Sequence, residues 1–177
     1  DLNALKAICA EHDLLLLEDA CQAIGGTYEG KPLGSIGDLG CFSFDFVKTI
    51  TCGEGGALIT DNKTYATNAD HYSDHGHDHY GQDRGAEEHP FLGYNFRISE
   101  LNAAVGCAQI LRLDEFVDLQ KTNYSILRDA FSAIPEIVFR RVPEGGVENY
   151  SFLNFFLPDE GLTQKAHQAL SEAGVDG

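Results

Sequence analysis

The sequence predicts an α/β protein: a parallel sheet flanked by helices, followed by the start of a smaller α+β unit. Three observations carry this expectation. A helix-spaced segment runs straight into an apolar run that stops on two acids, a strand-loop-strand unit follows near residues 41–60, and a strand-strand-helix run closes the chain.

Leu2, Leu5, Ile8 and Cys9 recur at helical spacing up to Glu11-His12-Asp13 and define the first helix. Leu14 to Leu17, stopped by Glu18-Asp19, then reads as a buried strand, because an apolar run without polar alternation suits a parallel sheet covered on both faces. Ligands of such sheets gather at the carboxyl ends of the strands, where Asp19 falls. Gly25-Gly26, Gly30 and Pro32-Leu33-Gly34 are turn material. Cys41 to Phe46 alternates as a strand, with Phe42, Phe44 and Phe46 on one buried face, and Gly56 to Thr60 is the next strand. The polar, glycine-rich loop between them holds a single lysine, Lys48.

Residues 62–74 are expected to be helical. Residues 75–90, rich in histidine, acid and glycine, cannot bury a core and should form a surface or active-site loop. From Ile98, apolar positions between Leu101 and Leu127 predict one long helix or two in tandem, capped by Ser99, ended by Pro135, and facing either the core or a second subunit. Strands are expected at Ile137–Val142 and Tyr150–Leu157, and a helix at Thr163–Ala173. The expected division is a large domain over 1–118 and a smaller one over 119–177, truncated at Gly177. With no Met anywhere and an opening of Asp1-Leu2-Asn3, the chain is expected to be a fragment.

Composition narrows the function classes. Twelve basic residues against 28 acidic ones give a net charge of −16, which repels phosphate backbones and anionic lipid surfaces, so no nucleic-acid or membrane partner is expected. No apolar run approaches the length of a membrane span. Five scattered cysteines (Cys9, Cys21, Cys41, Cys52, Cys107), odd in number and without a C-x-x-C pair, fit inert reduced thiols in a cytoplasmic protein; Cys52, after Lys48, is the one expected to be accessible. No nucleophile elbow, Walker loop or dinucleotide fingerprint occurs.

The chemistry-bearing residues fall at successive strand ends: Asp19-Ala20-Cys21-Gln22, then Ser43, then Lys48, then Gly53-Glu54-Gly55-Gly56. A lysine whose charge is suppressed can act as a nucleophilic amine and form a Schiff base. A carboxylate at a neighbouring strand end can keep a pyridinium nitrogen protonated, as an electron-sink cofactor requires, and a serine with adjacent backbone amides can hold a phosphate.

The ordered set Glu18-Asp19-Ala20-Cys21-Gln22-Ala23-Ile24-Gly25, Gly34-Ser35-Ile36-Gly37-Asp38, Phe42-Ser43-Phe44, Lys48, Gly53-Glu54-Gly55-Gly56 and Gly93-Tyr94-Asn95-Phe96-Arg97 resembles the DegT/DnrJ/StrS family of sugar aminotransferases. The resemblance implies a type I aminotransferase-like fold, with a mixed, mostly parallel sheet, and pyridoxal 5'-phosphate as cofactor. It implies that Lys48 carries the cofactor as a Schiff base and shuttles the proton. Asp19 would pair with the pyridine nitrogen, Gln22 lie against the ring or its hydroxyl, and Ser43 bind the phosphate. Asn95 would reach the phosphate held by the neighbouring subunit of a homodimer, and Arg97 would be structural. Members with histidine in place of the lysine are dehydratases, so lysine favours transfer of an amino group from glutamate to a keto sugar for polysaccharide or lipopolysaccharide synthesis. The run Asp74-His75-Gly76-His77-Asp78-His79, with Arg84-Gly85-Ala86-Glu87, looks like that of enzymes aminating an octulosonate sugar. Family members are longer: the first strands, a Gly-Thr or Gly-Ser phosphate loop and the aromatic that stacks on the cofactor would precede Asp1, so the chain alone is expected to bind cofactor poorly or not at all.

Two alternatives stay open at this level. His75, His77, His79, Asp78, Asp83, Glu87, Glu88 and His89 suit a metal-binding hydrolase by residue type, though their spacing is shorter than the metallo-hydrolase motif and no metal is expected. A non-catalytic binding or regulatory protein can also keep the fold, against which the presence of Lys48 counts.

Overall fold

The computed structural model describes residues 1–79 and 88–175. Helix α1 (Leu2–Glu11) is capped by the Asp1 carboxylate, which accepts from the Ala4 amide at 3.0 Å. Strand β1 (Leu17–Asp19) follows, then the short strands β2 (Thr27–Tyr28) and β3 (Lys31–Pro32), then β4 (Leu39–Ser43) and β5 (Gly56–Ile59). β1 and β4 are parallel, with Asp19 opposite Cys41, and β4 and β5 are antiparallel, giving a mixed sheet of order β1-β4-β5. β2 and β3 form a hairpin whose two turn residues, Glu29 at φ 50° and Gly30 at φ 76°, both adopt the left-handed region that a two-residue hairpin turn requires.

Helix α2 (Lys63–Ser73) starts on Asn62, whose side chain accepts from the Thr64 and Tyr65 amides. Helix α3 (Glu100–Ile110) starts on the expected Ser99 cap, and α4 (Leu113–Phe131) follows it in tandem, ending before Pro135. The chain then forms β6 (Val138–Phe139), β7 (Gly146–Val147), β8 (Phe155–Phe156) and α5 (Glu160–Glu172). β6 pairs with β8, while β7 adds to the β2–β3 hairpin and so joins the last third of the chain to the first. Position 118/119 lies inside α4.

Several expectations are corrected. The first strand lies at Leu17–Asp19 and takes in only the last residue of the leucine run: Leu14, Leu15 and Leu17 are 57%, 58% and 54% exposed, and the residue β1 buries is Glu18. The ladder to β4 sets the strand, and apolarity alone does not choose the register. β4 ends at Ser43, so Phe46 is 73% exposed instead of completing a buried aromatic face. Cys52 is buried and Cys107 is the exposed thiol; none of the five cysteines forms a disulfide. Leu101 and Leu111, at 81% and 87% exposure, face away from the core of this chain. β6 and β8 are shorter than expected, and α5 begins three residues early because Asp159 caps it, accepting from the Leu162 amide at 2.8 Å.

The best-buried apolar residues are Ala20, Tyr28, Ile36, Ile50 and Cys52. Ala20 directly follows β1, and Ile50 and Cys52 lie in the Lys48 loop, so three of the five surround the candidate site. No helix among the described residues is long and apolar enough to cross a membrane.

Candidate active site

The parallel pairing of β1 and β4 brings Asp19 and Ser43 to one end of the sheet, since Asp19 closes β1 opposite Cys41 and Ser43 lies two residues further along β4. The chain then turns back toward β5. In that turn the Lys48 amide donates to the Asp45 carbonyl at 3.0 Å, the Cys52 amide donates to the Phe44 carbonyl at 2.9 Å, and Ile50 is 1% exposed. These contacts hold the half-buried Lys48 so that its charge reaches both Asp19 and Cys21.

Asp19 is held anionic. Its carboxyl sits below the usual range, first through the Cys21 side chain and backbone amide, which donates to Oδ1 at 3.2 Å, and then through the Lys48 charge. The same contact pushes the Cys21 thiol up to about 11, with partial burial adding to it. Cys21 is therefore a protonated donor at neutral pH, set between the Asp19 carboxylate and the Cys41 carbonyl at 3.8 Å, and not a nucleophile.

Ser43 Oγ accepts from the Asp45 amide at 3.4 Å and keeps its hydroxyl hydrogen for another partner. The Gln22 side chain is exposed, whereas its carbonyl accepts from Asn149 Nδ2 at 2.9 Å. Asp19 and Gln22 both line a cleft of about 750 Å³ between α1, β1 and residues 140–154. Lys48 and Ser43 do not line that cleft.

Asn95 stands elsewhere. Residues 94–96 run antiparallel to the end of α2, where the His75 amide donates to the Tyr94 carbonyl at 3.0 Å and Asn95 bridges to Asp74. Asn95 Oδ1 accepts from Arg97 Nε at 3.1 Å, and Arg97 Nη1 lies 3.2 Å from Asp74 Oδ1, so Arg97 ties the two segments together. The structure thus puts Asp19 and Ser43 at one end of the sheet, with the Lys48 charge acting on Asp19, and leaves Asn95 on a separate segment.

The histidines gather beside Asn95. Donor atoms of Asp74, His75 and His77 all lie within 4.8 Å of one another, and the His77 and His89 rings are 4.3 Å apart. Asp74 Oδ1 is already engaged by His75 Nδ1 at 3.1 Å and by Arg97, which together hold its carboxyl low. Asp83, Arg84 and Glu87 of this loop lie outside the described residues.

Two residues that sequence reasoning missed support the site. Glu18 is buried, its Oε2 accepting from the Gly34 amide at 2.8 Å and its Oε1 from the Ile36 and Gly37 amides at 2.6 Å each. It pins the 34–37 loop against β1 next to Asp19. Asn149, equally buried, bonds the turn that carries Gln22. The neighbouring Glu18-Asp19 pair was a signal for the first, since adjacent strand residues face opposite ways and one of the two must point inward; nothing local marks the second.

The profile of the DegT/DnrJ/EryC1/StrS aminotransferase family matches residues 1–177. The chain is 34% identical over 165 residues to the lipopolysaccharide biosynthesis protein RfbH of Salmonella typhimurium, covering 81% of this chain and 37% of that protein. It is 31% identical over 161 residues to GDP-perosamine synthase of Vibrio cholerae, covering 90% and 42%. The fold superposes on the crystal structure of the aminotransferase TlmJ from Streptoalloteichus hindustanus with a TM-score of 0.90 at 25% identity, covering 99% of this chain and 47% of that one. The chain thus spans about two fifths of the length of the curated relatives it matches. With a family profile matching the whole chain and a type I aminotransferase fold, the chain belongs to the DegT/DnrJ/EryC1/StrS aminotransferase family, whose enzymes depend on pyridoxal phosphate.

Proposed function

We propose that the protein carrying this chain is a pyridoxal phosphate-dependent aminotransferase that moves an amino group from glutamate to a keto sugar, either nucleotide-linked or an octulosonate, in polysaccharide or lipopolysaccharide synthesis. The observation that carries this is the parallel pairing that sets Asp19 and Ser43 at the carboxyl end of β1 and β4, with the Lys48 charge acting on Asp19. Their chemistry fits the cofactor: a carboxylate held anionic for a ring nitrogen, a hydroxyl beside the free strand end for a phosphate, and one amine.

When bound, the cofactor supplies the electron sink for the carbanion formed at the amino-bearing carbon. Asp19 holds the ring nitrogen protonated, and Cys21 in turn keeps Asp19 charged. Lys48 is the amine that would hold the cofactor, and its Nζ is the atom that would hold and move a proton. Ser43 would hold the phosphate through its hydroxyl, and Gln22 would lie beside the ring. Asn95 serves the site of the second subunit in a homodimer, which agrees with its placement away from Lys48, and the enzyme works in the cytoplasm.

The test is the absorption spectrum of the whole polypeptide with pyridoxal phosphate, before and after glutamate. A visible band that glutamate bleaches, with release of 2-oxoglutarate, is expected; a band that glutamate leaves unchanged would contradict the proposal. Asp19→Asn keeps the shape and removes the charge. It is expected to lower kcat by about 10²–10³-fold, the scale of one lost electrostatic partner in an active site, checked by turnover at saturating cofactor.

A relative at 29% identity is named a dTDP-4-dehydro-2,6-dideoxy-D-glucose 3-dehydratase. Lys48 favours amino transfer over that outcome. The metal-hydrolase alternative is weakened by Arg97, whose guanidinium sits on the carboxylate a cation would need. Zinc titration that leaves both cofactor uptake and amino transfer unchanged is the expected result.

A further inference from the structure

Asn149 is the one buried polar side chain of the last third of the chain, among the described residues, and every polar atom of it is used. Nδ2 donates to the Gln22 carbonyl at 2.9 Å and to the Ile24 carbonyl at 3.1 Å, and Oδ1 accepts from the Ser151 amide at 3.2 Å. The segment it grips consists of two consecutive tight turns, closed by the Ala23 amide on the Ala20 carbonyl and the Gly26 amide on the Ala23 carbonyl. Those turns leave the Gln22 and Ile24 carbonyls pointing outward, and Asn149 supplies their hydrogens. The turn is also pressed against α4: a Cβ at Gly25 would come within 2.6 Å of Val117 Cγ2.

The same short segment reaches the lysine loop. Ser151 Oγ lies 3.3 Å from Thr49 Oγ1, which also accepts from Gln120 Nε2 at 3.2 Å, and Thr49 directly follows Lys48. Between the two gripping residues, Tyr150 is held at φ 62°, a left-handed conformation that a bulky residue adopts only when its surroundings impose it. Here both neighbours impose it, Asn149 on the 22–24 turn and Ser151 on Thr49. One strained tripeptide, more than 100 residues downstream in sequence, thus ties together the two loops that carry the candidate cofactor residues.

We propose that Asn149 and Ser151 are positioning residues of the cofactor site, fixing Gln22 and Lys48 relative to each other, so that the C-terminal part of the chain sets how tightly the cofactor is held. This rests on the cofactor assignment made above. Neither residue need touch the cofactor: Asn149 acts through the backbone of the Gln22 turn, and Ser151 through Thr49. Effects passed through a shared partner are non-additive, which separates positioning from a general loss of stability.

The experiment measures pyridoxal phosphate affinity by absorbance titration of the whole polypeptide, together with thermal unfolding of the cofactor-free protein. Asn149→Ala is expected to weaken binding about 10-fold in the wild-type background and only about 2-fold when Gln22→Ala is already present, a coupling in the range of contacting residues. Ser151→Ala, a milder change, is expected to weaken binding about 3-fold without moving the unfolding temperature, and Ser151→Thr, which keeps the hydroxyl, to restore it. Equal effects of Asn149→Ala in both backgrounds, or Ser151→Ala binding as tightly as wild type, would overturn the proposal. A wild-type protein that takes up no pyridoxal phosphate would instead overturn the cofactor assignment beneath it.

Discussion

Lys48→Ala is expected to abolish glutamate-dependent amino transfer, with turnover down by about 10³-fold or more, because one substitution removes both the covalent anchor and the proton carrier. The surroundings of the side chain support this size of effect. Lys48 is half buried in a turn held by the Asp45 and Phe44 carbonyls, its charge reaches Asp19, and no second lysine lies in the loop between β4 and β5. Steady-state assay of 2-oxoglutarate release, with thermal unfolding to show that the variant is folded, measures the loss. Retention of more than about a tenth of wild-type turnover would place the proton-carrying group elsewhere.

Glu18→Ala is expected to give the largest stability loss of any single substitution in the first 60 residues. It would leave the Gly34, Ile36 and Gly37 amides without their acceptor in a buried setting. Each hydrogen bond to a charged group contributes about 1.5–3 kcal/mol, and the three are not additive, so the expected loss is about 3–5 kcal/mol. For a chain of this size that corresponds to a fall in Tm of roughly 10 °C. Glu18→Gln keeps an oxygen for the Ile36 and Gly37 amides and presents an NH₂ group to Gly34, so a smaller loss is expected. Urea unfolding of the three proteins checks the order wild type, Gln, Ala; an Ala variant as stable as wild type would mean that the 34–37 loop does not depend on this carboxylate. Because Asp19 is the next residue, the loss should also weaken cofactor uptake.

The elements that could be read from the sequence are those whose signals are local. Asn62 and Ser99 cap the helices they precede, and the helical spacing from Leu2 to Cys9 gives α1. The alternation at residues 41–46 and the glycine-rich loop after it give the β4–β5 pair, and with it the placement of Ser43 and Lys48. Elements fixed by distant partners were hidden. β7 is two residues long and exists through its pairing with β2, more than 100 positions upstream, so no periodicity can announce it. The leucines at 14–17 carry the hydrophobicity of a strand, yet the ladder runs over Leu17–Asp19 and turns the charged Glu18 inward.

The site divides in the same way. Asp19, Ser43 and Lys48 could be singled out because strand ends and a lysine-bearing turn are local features, and the parallel pairing of β1 and β4 sets Asp19 and Ser43 at one end of the sheet. Glu18 and Asn149 escaped because their function is to hold backbone groups of other segments, and a sequence shows the side chain without showing the amides or carbonyls it will meet. Gly25, by contrast, carries a visible reason once the fold is known: φ is 85°, which disfavours any side chain, and a Cβ would come within 2.6 Å of Val117 Cγ2 and force that side chain to shift.

The most direct measurement is chemical trapping. The whole polypeptide is incubated with pyridoxal phosphate, reduced with borohydride, digested, and the modified peptide sequenced by mass spectrometry. A single reduced pyridoxyl adduct on Lys48, absent when Asp19→Asn and Lys48→Ala are combined, is the predicted result. An adduct on a different lysine of the wild-type protein, or none at all, would contradict the assignment of Lys48 as the cofactor-bearing residue.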